Sequence, residues 1–262
     1  MLYENTGNKI TSIKINKNKV VVKFSNSNKL ELPHEVFTSF YLFKGKMLVP
    51  KEIKEIKEQV NIYELYKYAR RLCTSRIYSE HKIREKLYLK EASKKEVDEV
   101  ISKLKKEKLI NDDEFASEYL VYANEHNIGK NKIISKLKEK GVFDTSISKL
   151  SFPYKNELNK AYSYIDKLEA KYDKYPYKMK KDKSIQYLIS QGFDLDVAME
   201  VCNDLKYPKE KEEINKLKED YKKVYRQYER KYRGKELKEK IISSLLRKGY
   251  RMSDITHLLE EK

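Results

Sequence analysis

One pattern of apolar residues around a glycine recurs along the chain, and it restricts what the chain can fold into. Counted from the glycine, apolar residues lie seven and four positions before it and one, six and nine positions after it. The pattern fits Gly141, Gly192 and Gly249, and it fits more weakly at Glu91, where Ile83 lies one position from the expected place. These origins are separated by 50, 51 and 57 residues. Such self-similarity is typical of an array of like units.

Each copy of the pattern predicts two helices joined at the glycine. The apolar residues before the glycine are three positions apart, on one face of a helix. A glycine just past a helix end favours the left-handed backbone that terminates the helix. The apolar pair after it, again three apart, begins a second amphipathic helix. We therefore predict a mainly α protein, an elongated, curved array of tandem three-helix repeats at residues 61–110, 111–155, 156–208 and 209–262.

The first 60 residues differ from the rest and are predicted to form a small β-rich N-terminal region with short helices. Residues 10–32 alternate apolar and polar side chains around a turn at Asn26-Ser27-Asn28, which predicts a three-stranded meander. Three strands alone are marginally stable, so we expect this cap to pack against the helices that follow. Beyond the meander, helices are predicted at residues 35–43, from Pro50, at 63–76, after the caps Ser79 and Ser93, and at 112–126, 130–140, 145–151, 156–173, 181–191, 195–206, 209–233, 235–248 and 253–261.

Charge is strongly positive and unevenly distributed. The chain has 58 Lys and Arg against 41 Asp and Glu, a net charge of +17, which makes a polyanion the expected class of partner. An AT-rich genome also enriches lysine, and this remains an alternative explanation of the excess. The net charge is +5 over residues 1–60, +6 over 61–110, zero over 111–208 and +6 over 209–262. This asymmetry favours two electropositive contact regions on either side of a neutral spacer.

Two groups of basic residues are the candidate contacts. Lys222, Arg226, Arg230 and Arg233 are spaced 4, 4 and 3 apart, so they share one face of the predicted helix 209–233. Such a ridge suits phosphates or an acidic groove. Four tyrosines share another face, Tyr221, Tyr225, Tyr228 and Tyr232. They either stack on bases or face the core. The corresponding set near the other end is Arg70, Arg71 and Arg76.

The sequence gives little sign of catalytic or cofactor chemistry. All seven glycines are isolated, so no phosphate-binding loop is predicted, and the four histidines never pair at metal-ligand spacing. Cys73 and Cys202 lie far apart, which predicts buried thiols and no disulfide or zinc site. The acidic cluster Asp112-Asp113-Glu114 fits either a magnesium site or, in our preferred interpretation, a helix start. We predict a protein without cofactor, metal or enzymatic activity.

Nothing in the sequence predicts a membrane association. The first residues, MLYENTGNK, contain no apolar signal core, and no run of about 18 apolar residues occurs. We expect a soluble, cytoplasmic monomer.

Residues 61–150 carry a set of motifs known from one protein family. The matching residues of the second repeat are Leu109, Ile110, Asp112, Phe115, Ala116, Tyr119, Gly129, Lys132, Ile133, Leu137, Lys140, Gly141 and Val142. Those of the first repeat are Ala69, Leu72, Arg76, Ser79, Glu80, Lys86 and Leu87. As a set they resemble the regulatory protein RecX family. This chain departs from the family pattern at Glu91 and Lys108, where glycine is usual, in its strand-rich N-terminus and in its fourth repeat.

The resemblance implies a function as well as a fold. Members of the RecX family are tandem three-helix repeat proteins that bind the RecA recombinase filament on single-stranded DNA. They restrain its ATPase, strand-exchange and co-protease activities in homologous recombination and the SOS response. The alternative is a sequence-tolerant nucleic-acid-binding or transcription-regulating helical protein without a RecA role. Salt-sensitive binding to naked DNA, with no preference for filaments, would favour the alternative.

Overall fold

The computed structural model describes residues 8–260, which form three strands and fourteen helices. The strands are β1 (Ile10–Ile15), β2 (Val20–Phe24) and β3 (Lys29–Leu32). The helices are α1 (His34–Ser39), α2 (Pro50–Ser75), α3 (Glu80–Tyr88), α4 (Lys94–Lys106), α5 (Asp112–Glu125), α6 (Lys130–Glu139), α7 (Asp144–Ile147), α8 (Tyr154–Tyr162), α9 (Ile165–Tyr172), α10 (Tyr177–Ser190), α11 (Leu195–Asn203), α12 (Glu210–Tyr228), α13 (Gly234–Arg247) and α14 (Met252–Glu260). The MLYENTGNK prediction for residues 1–7, and those for residues 261–262, lie outside the described residues.

The three strands form the predicted antiparallel meander in the order β1-β2-β3. Val22 of β2 pairs with Ile13 on one side and Leu30 on the other. Ser27 in the turn adopts a left-handed backbone with φ of 64°. The buried face of the sheet packs on Val36 of α1 and Ile56 of α2. The cap is therefore covered by helices, as predicted.

The helices divide, with the sheet, into two compact units. The first contains the described residues up to Ala116 together with Glu139–Ser146, and the second contains Ser117–Lys138 and the described residues from Ile147 onward. The first unit holds the core of the sheet and a second apolar cluster from α2, α3 and α4. The second unit holds one cluster centred on α8 to α11 and another on α12 to α14. Each cluster is a separate small core.

The glycines at the pattern origins end helices in the predicted way. The backbone is left-handed at Gly141, Gly192 and Gly249, with φ of 71°, 96° and 94°. After α10 the amide of Phe193 donates to the carbonyl of Leu188 at 3.2 Å, the bond expected of a left-handed helix cap. Glu91 takes the same backbone with φ of 60° although it carries a side chain.

The apolar register before each origin is one residue away from the predicted one. The residue seven positions before the glycine is only half-buried at Ile134, Ile185 and Ile242. The residue eight positions before the origin is 0–2% exposed in all four copies, namely Ile83, Ile133, Ser184 and Ile241. The position of Ile83 is therefore the regular one, and a spacing of four connects it to the buried leucine of the pattern.

Several predicted helix boundaries are wrong. The two helices predicted on either side of residue 60 are one helix, α2, because neither glycine nor proline interrupts residues 51–75. The helix predicted at 156–173 is interrupted at Ser163, whose hydroxyl donates to the carbonyl of Lys160 at 2.7 Å. The helix predicted at 181–191 begins earlier, after Pro176, and the one predicted at 145–151 is only the short α7. With 26 residues, α2 and not 209–233 is the longest helix of the described residues. The repeat boundaries stay predictions, although α2 crosses the one at residue 60.

Three helix starts share one contact. At α3, α6 and α10, the first backbone amide donates to a carboxylate that lies further along the chain. The pairs are Glu80 with Asp112 at 2.9 Å, Lys130 with Glu157 at 3.0 Å and Tyr177 with Glu213 at 3.0 Å. Since the first amides of a helix have no partner within it, each carboxylate completes a helix that precedes it in sequence.

Candidate binding surfaces

The first candidate set comprises two exposed arginines on α2 and one beyond its end. Arg70 and Arg71 are exposed near the C-terminus of α2. As successive residues they point about 100° apart around the helix. Arg76 follows the helix with extended backbone, and its guanidinium carbon lies 4.6 Å from the centre of the Tyr78 ring. The structure therefore places Arg76 beyond the helix, where it shares no helical face with Arg70 or Arg71.

Lys86, one of the residues matched to the family, lies near the same tyrosine ring as Arg76. The ammonium of Lys86 on α3 lies 5.6 Å from the ring centre of Tyr78. Tyr78 itself is only 8% exposed. Arg76 and Lys86 thus contact the same ring, and cation–π attraction holds both charges near the start of α3.

The second candidate set is only partly as predicted. Lys222 and Arg226 are exposed on α12, four residues apart and so on one face. Arg230 and Arg233 are exposed too, but α12 ends at Tyr228, so the prediction that all four share a helical face is wrong. Arg233 has extended backbone, and its guanidinium donates to the carbonyls of Glu229 and Tyr232. These bonds satisfy carbonyls that a continuing helix would have paired.

The four tyrosines of this segment divide between the two interpretations. Tyr221 is 8% exposed within the apolar core of α12 to α14, and Tyr228 packs against that core. Tyr232 is half-buried. Tyr225 is 38% exposed, with its ring centre 5.8 Å from that of Tyr221. Tyr225 is therefore the most exposed of the four rings.

A groove lies between α12 and α13 beside Lys222 and Arg226. Its volume is about 510 Å³. Its lining residues are Tyr221, Lys222, Tyr225, Arg226, Gly234, Leu237, Lys238, Ile241 and Leu259. Lys238 of α13 is exposed, and its sequence context alone does not distinguish it from the other lysines of this segment. The groove combines three cations with an apolar floor, a composition that suits an anionic group attached to apolar atoms.

The acidic cluster serves helix starts, as our preferred interpretation predicted. The side-chain oxygen of Asn111 accepts from the amides of Asp113 at 3.1 Å and Glu114 at 3.4 Å, which caps α5. Asp112 caps α3 through the amide of Glu80. Burial raises the pKa of Asp112, and the nearby Glu80 carboxylate adds to this effect.

Glu80 is held as an anion by two cations. It is 7% exposed, and it accepts from Arg84 at 2.8 Å and from Lys105. Burial raises the pKa of Glu80, but these hydrogen bonds outweigh burial and the pKa is lowered overall. The start of α3 is therefore fixed by a network of charges inside one unit.

The cysteines and histidines form no visible site. Cys202 is buried, and burial raises the pKa of its thiol to about 11, whereas Cys73 is only half-buried. Within residues 8–260, no group of three or more His, Cys, Asp or Glu side chains is arranged to hold a metal ion. In the same residues no helix has the length and apolar character needed to cross a bilayer.

Comparison with known proteins identifies the family. No family model matches the chain. The chain is 30% identical to the regulatory protein RecX of Listeria welshimeri serovar 6b, over 97% of this chain and 96% of the relative. The chain belongs to the RecX family. It is also 29% identical to the regulatory protein RecX of Streptococcus pneumoniae serotype 19F (strain G54) and to that of Streptococcus agalactiae serotype III (strain NEM316), each over 97% of this chain and 99% of the relative.

Solved RecX structures share the fold. A crystal structure of regulatory protein RecX has a TM-score of 0.68 at 22% identity and covers 75% of this chain and 99% of its own. The crystal structure of RecX from Lactobacillus salivarius has a TM-score of 0.52 at 24% identity and covers 55% of this chain and 96% of its own. The predicted resemblance to RecX and the mainly α fold with a small sheet are confirmed. The chain is thus a regulatory protein of the RecX family.

Proposed function

We propose that this chain binds the RecA filament on single-stranded DNA and restrains its ATPase, strand-exchange and co-protease activities. The observation that carries the proposal is the 30% identity to a regulatory protein RecX over nearly the whole chain. The chain acts in the cytoplasm, as a monomer, by occupying the filament, without a cofactor and without chemistry of its own. It thereby regulates homologous recombination, DNA repair and the SOS response.

The exposed basic residues support a polyanionic partner. Arg70 and Arg71 on α2, with Lys222 and Arg226 on α12, all have exposed side chains. The net charges of +6 over residues 61–110 and +6 over 209–262 agree with the positions of these residues, and residues 1–60 add a further +5. A filament on DNA offers both phosphates and acidic protein surface to such residues.

The test is the DNA-dependent hydrolysis of ATP by RecA from the same source. The chain is titrated into RecA on single-stranded DNA at two salt concentrations, and its binding to naked DNA is measured in parallel. We expect suppression at well below one chain per RecA. Unchanged hydrolysis together with steeply salt-dependent binding to naked DNA would overturn the proposal and favour the general nucleic-acid-binding alternative.

A further inference from the structure

The turn between α12 and α13 lacks the carboxylate that the starts of α3, α6 and α10 receive. The first residue of α13 is Gly234, the preceding Arg233 makes no side-chain capping bond, and no carboxylate of residues 8–260 accepts from the Gly234 amide. The space beside Gly234 is open, since a Cβ added there would meet nothing within 4 Å. The space beside Gly129, the residue before α6, is filled by contrast, because a Cβ there would lie 2.3 Å from the carbonyl carbon of Gly192 at the end of α10.

Backbone carbonyls in the turn between α12 and α13 already accept hydrogen bonds from a cation. At two of the earlier turns, a lysine three residues after the capping carboxylate donates to backbone carbonyls. Lys160 donates to Ile128 at 2.8 Å, and Lys216 donates to Asp173 at 2.5 Å. Before α13, Arg233 takes this role from within the turn. An occupant of this turn therefore needs to bring an acceptor, not a cation.

The groove beside Gly234 is suited to a carboxylate that is flanked by apolar side chains. Lys222, Arg226 and Lys238 supply positive charge, whereas Leu237, Ile241 and Leu259 form apolar lining. At the start of α10, the segment that brings Glu213 also brings an apolar ring, with Tyr207 centred 4.5 Å from Tyr177. The chain thus shows, at its own comparable turn, the kind of segment that fits.

We infer that the groove between α12 and α13 binds an acidic, partly apolar segment of the protein partner, and not the phosphates of the DNA. This inference rests on the proposed function, because it assigns the surface to the protein component of the filament. Its basis is charge complementarity together with the carboxylate contact made at three other helix starts of the same chain. The segment places a carboxylate near the amide of Gly234 and lays apolar side chains on the groove floor.

Photo-crosslinking tests this assignment directly. Tyr225 is replaced by p-benzoylphenylalanine in the full chain, which is then irradiated with RecA filaments formed on a fluorescent oligonucleotide. The control carries the same replacement at Tyr41, which is 81% exposed outside the groove. We expect a crosslink from position 225 to RecA protein and none from position 41. A crosslink from position 225 to the oligonucleotide alone, or to neither component, would overturn the inference.

Charge reversal gives a second, independent measurement. The variant R226E/K238E removes two groove cations, and K14E/K23E makes the same charge change at exposed sheet residues. We expect the groove variant to lose at least about tenfold more filament affinity than the control. Both variants should lose equal affinity for naked single-stranded DNA. A selective loss on naked DNA by the groove variant would show that the groove binds phosphates.

The wild-type chain separates the two possible failures. If it does not co-sediment with RecA filaments, the proposed function fails and the inference fails with it. If it co-sediments but the crosslink and the charge reversal report DNA, only the inference fails.

Discussion

At the level of single residues, the helix ends differ in the backbone strain of the residue that terminates them. Left-handed backbone is held by glycine at three pattern origins, but by side-chain-bearing residues at Glu91, Lys108 and Asn127. A side chain in this conformation costs about 1–2 kcal/mol because Cβ crowds the carbonyl oxygen. At Glu91 and Lys108 the resemblance to the family led us to expect glycine, and both residues carry this strain with φ of 60° and 56°.

Replacing Glu91 with glycine should therefore stabilise the chain. We expect E91G to raise the free energy of unfolding by about 1 kcal/mol in urea titrations. The matched control is E55G at an exposed position inside α2, where glycine should cost about 1 kcal/mol. Equal destabilisation by both substitutions would contradict the strain argument.

Ser184 is a buried hydroxyl at a position where the other copies of the pattern have isoleucine. It is 0% exposed, and its oxygen has no hydrogen-bond partner among the described residues. We expect S184A to stabilise by about 1 kcal/mol, because it removes an unsatisfied buried group. S190A is the control, since the exposed hydroxyl of Ser190 is bonded to the carbonyl of Tyr187 at 2.6 Å. Destabilisation by S184A in thermal unfolding would show that its hydroxyl is satisfied.

Asp112 gives a pH-dependent prediction. Its pKa lies above the ordinary 3.8 in the folded chain, so the folded state binds this proton more tightly than the unfolded state. The contribution of Asp112 to stability is therefore greatest below pH 3.8 and falls as the pH rises through the folded pKa. D112N keeps an acceptor for the amide of Glu80 without the charge. Relative to wild type, D112N should gain stability as the pH rises from below 3.8 through the raised pKa of Asp112, whereas D112A should lose about 1–2 kcal/mol at neutral pH. A pH-independent difference between D112N and wild type would contradict the raised pKa.

At the level of elements, the contact between α6 and α10 depends on two glycines. The amide of Asn131 donates to the carbonyl of Gly192 at 2.8 Å, and a Cβ on Gly192 would lie 2.4 Å from that of Lys132. The helix start therefore meets a helix end through backbone atoms. Side chains on either glycine would hold the two apart.

A comparison of Gly192 with Gly45 distinguishes backbone strain from steric clash, because Gly45 has the same backbone conformation but lies outside this contact. Gly45 and Gly192 both have φ of 96°, but a Cβ on Gly45 would meet nothing within 4 Å. We expect G45A to cost only the left-handed strain, about 1–2 kcal/mol. G192A should cost about 1–3 kcal/mol more, because it also overpacks the contact. Similar unfolding free energies for the two variants would show that α6 and α10 can move apart to accommodate the added methyl group without a loss of stability.

Helix caps were predictable from the sequence, but helix continuity was not. Ser79 and Ser93 accept from amides of α3 and α4, as their sequence context predicted. Local hydrogen bonding determines these caps, so a few residues suffice to predict them. The predicted buried position was one residue away from the observed one. At Ser184 and Ile185 the serine is buried and the isoleucine is only half-buried, which a pattern of apolar residues cannot predict because burial depends on packing between elements. Gly129 and Gly192 are 63 residues apart, and no local pattern indicates that they touch.

At the level of the whole molecule, the charged segments were predictable, but the groove was not. Counting charges located the two basic regions, because charge is a property of composition. The groove requires α13 to lie beside α12, which places Lys238 and Arg226 on the lining of one groove although no single helix carries both. The predicted four-residue ridge was wrong for the complementary reason, because it assumed one continuous helix through Arg233.

The first basic region gives the prediction at this scale. We expect R70E/R71E to raise the concentration needed for half-suppression of RecA ATP hydrolysis by about tenfold, as lost charge contacts slow association. K14E/K23E should change it far less, although its net charge is the same. Equal effects of the two variants would show that total charge, and not the α2 arginines, governs binding.

Each of the three capping carboxylates stabilises a helix other than the one near which it lies in the sequence. Asp112, Glu157 and Glu213 complete helices that begin 32, 27 and 36 residues earlier. Loss of one of these carboxylates would leave its own helix intact and speed amide exchange at the start of an earlier one. Substituting one of these carboxylates therefore destabilises a helix start that lies 27–36 residues earlier in the sequence, and not the helix that carries the substitution.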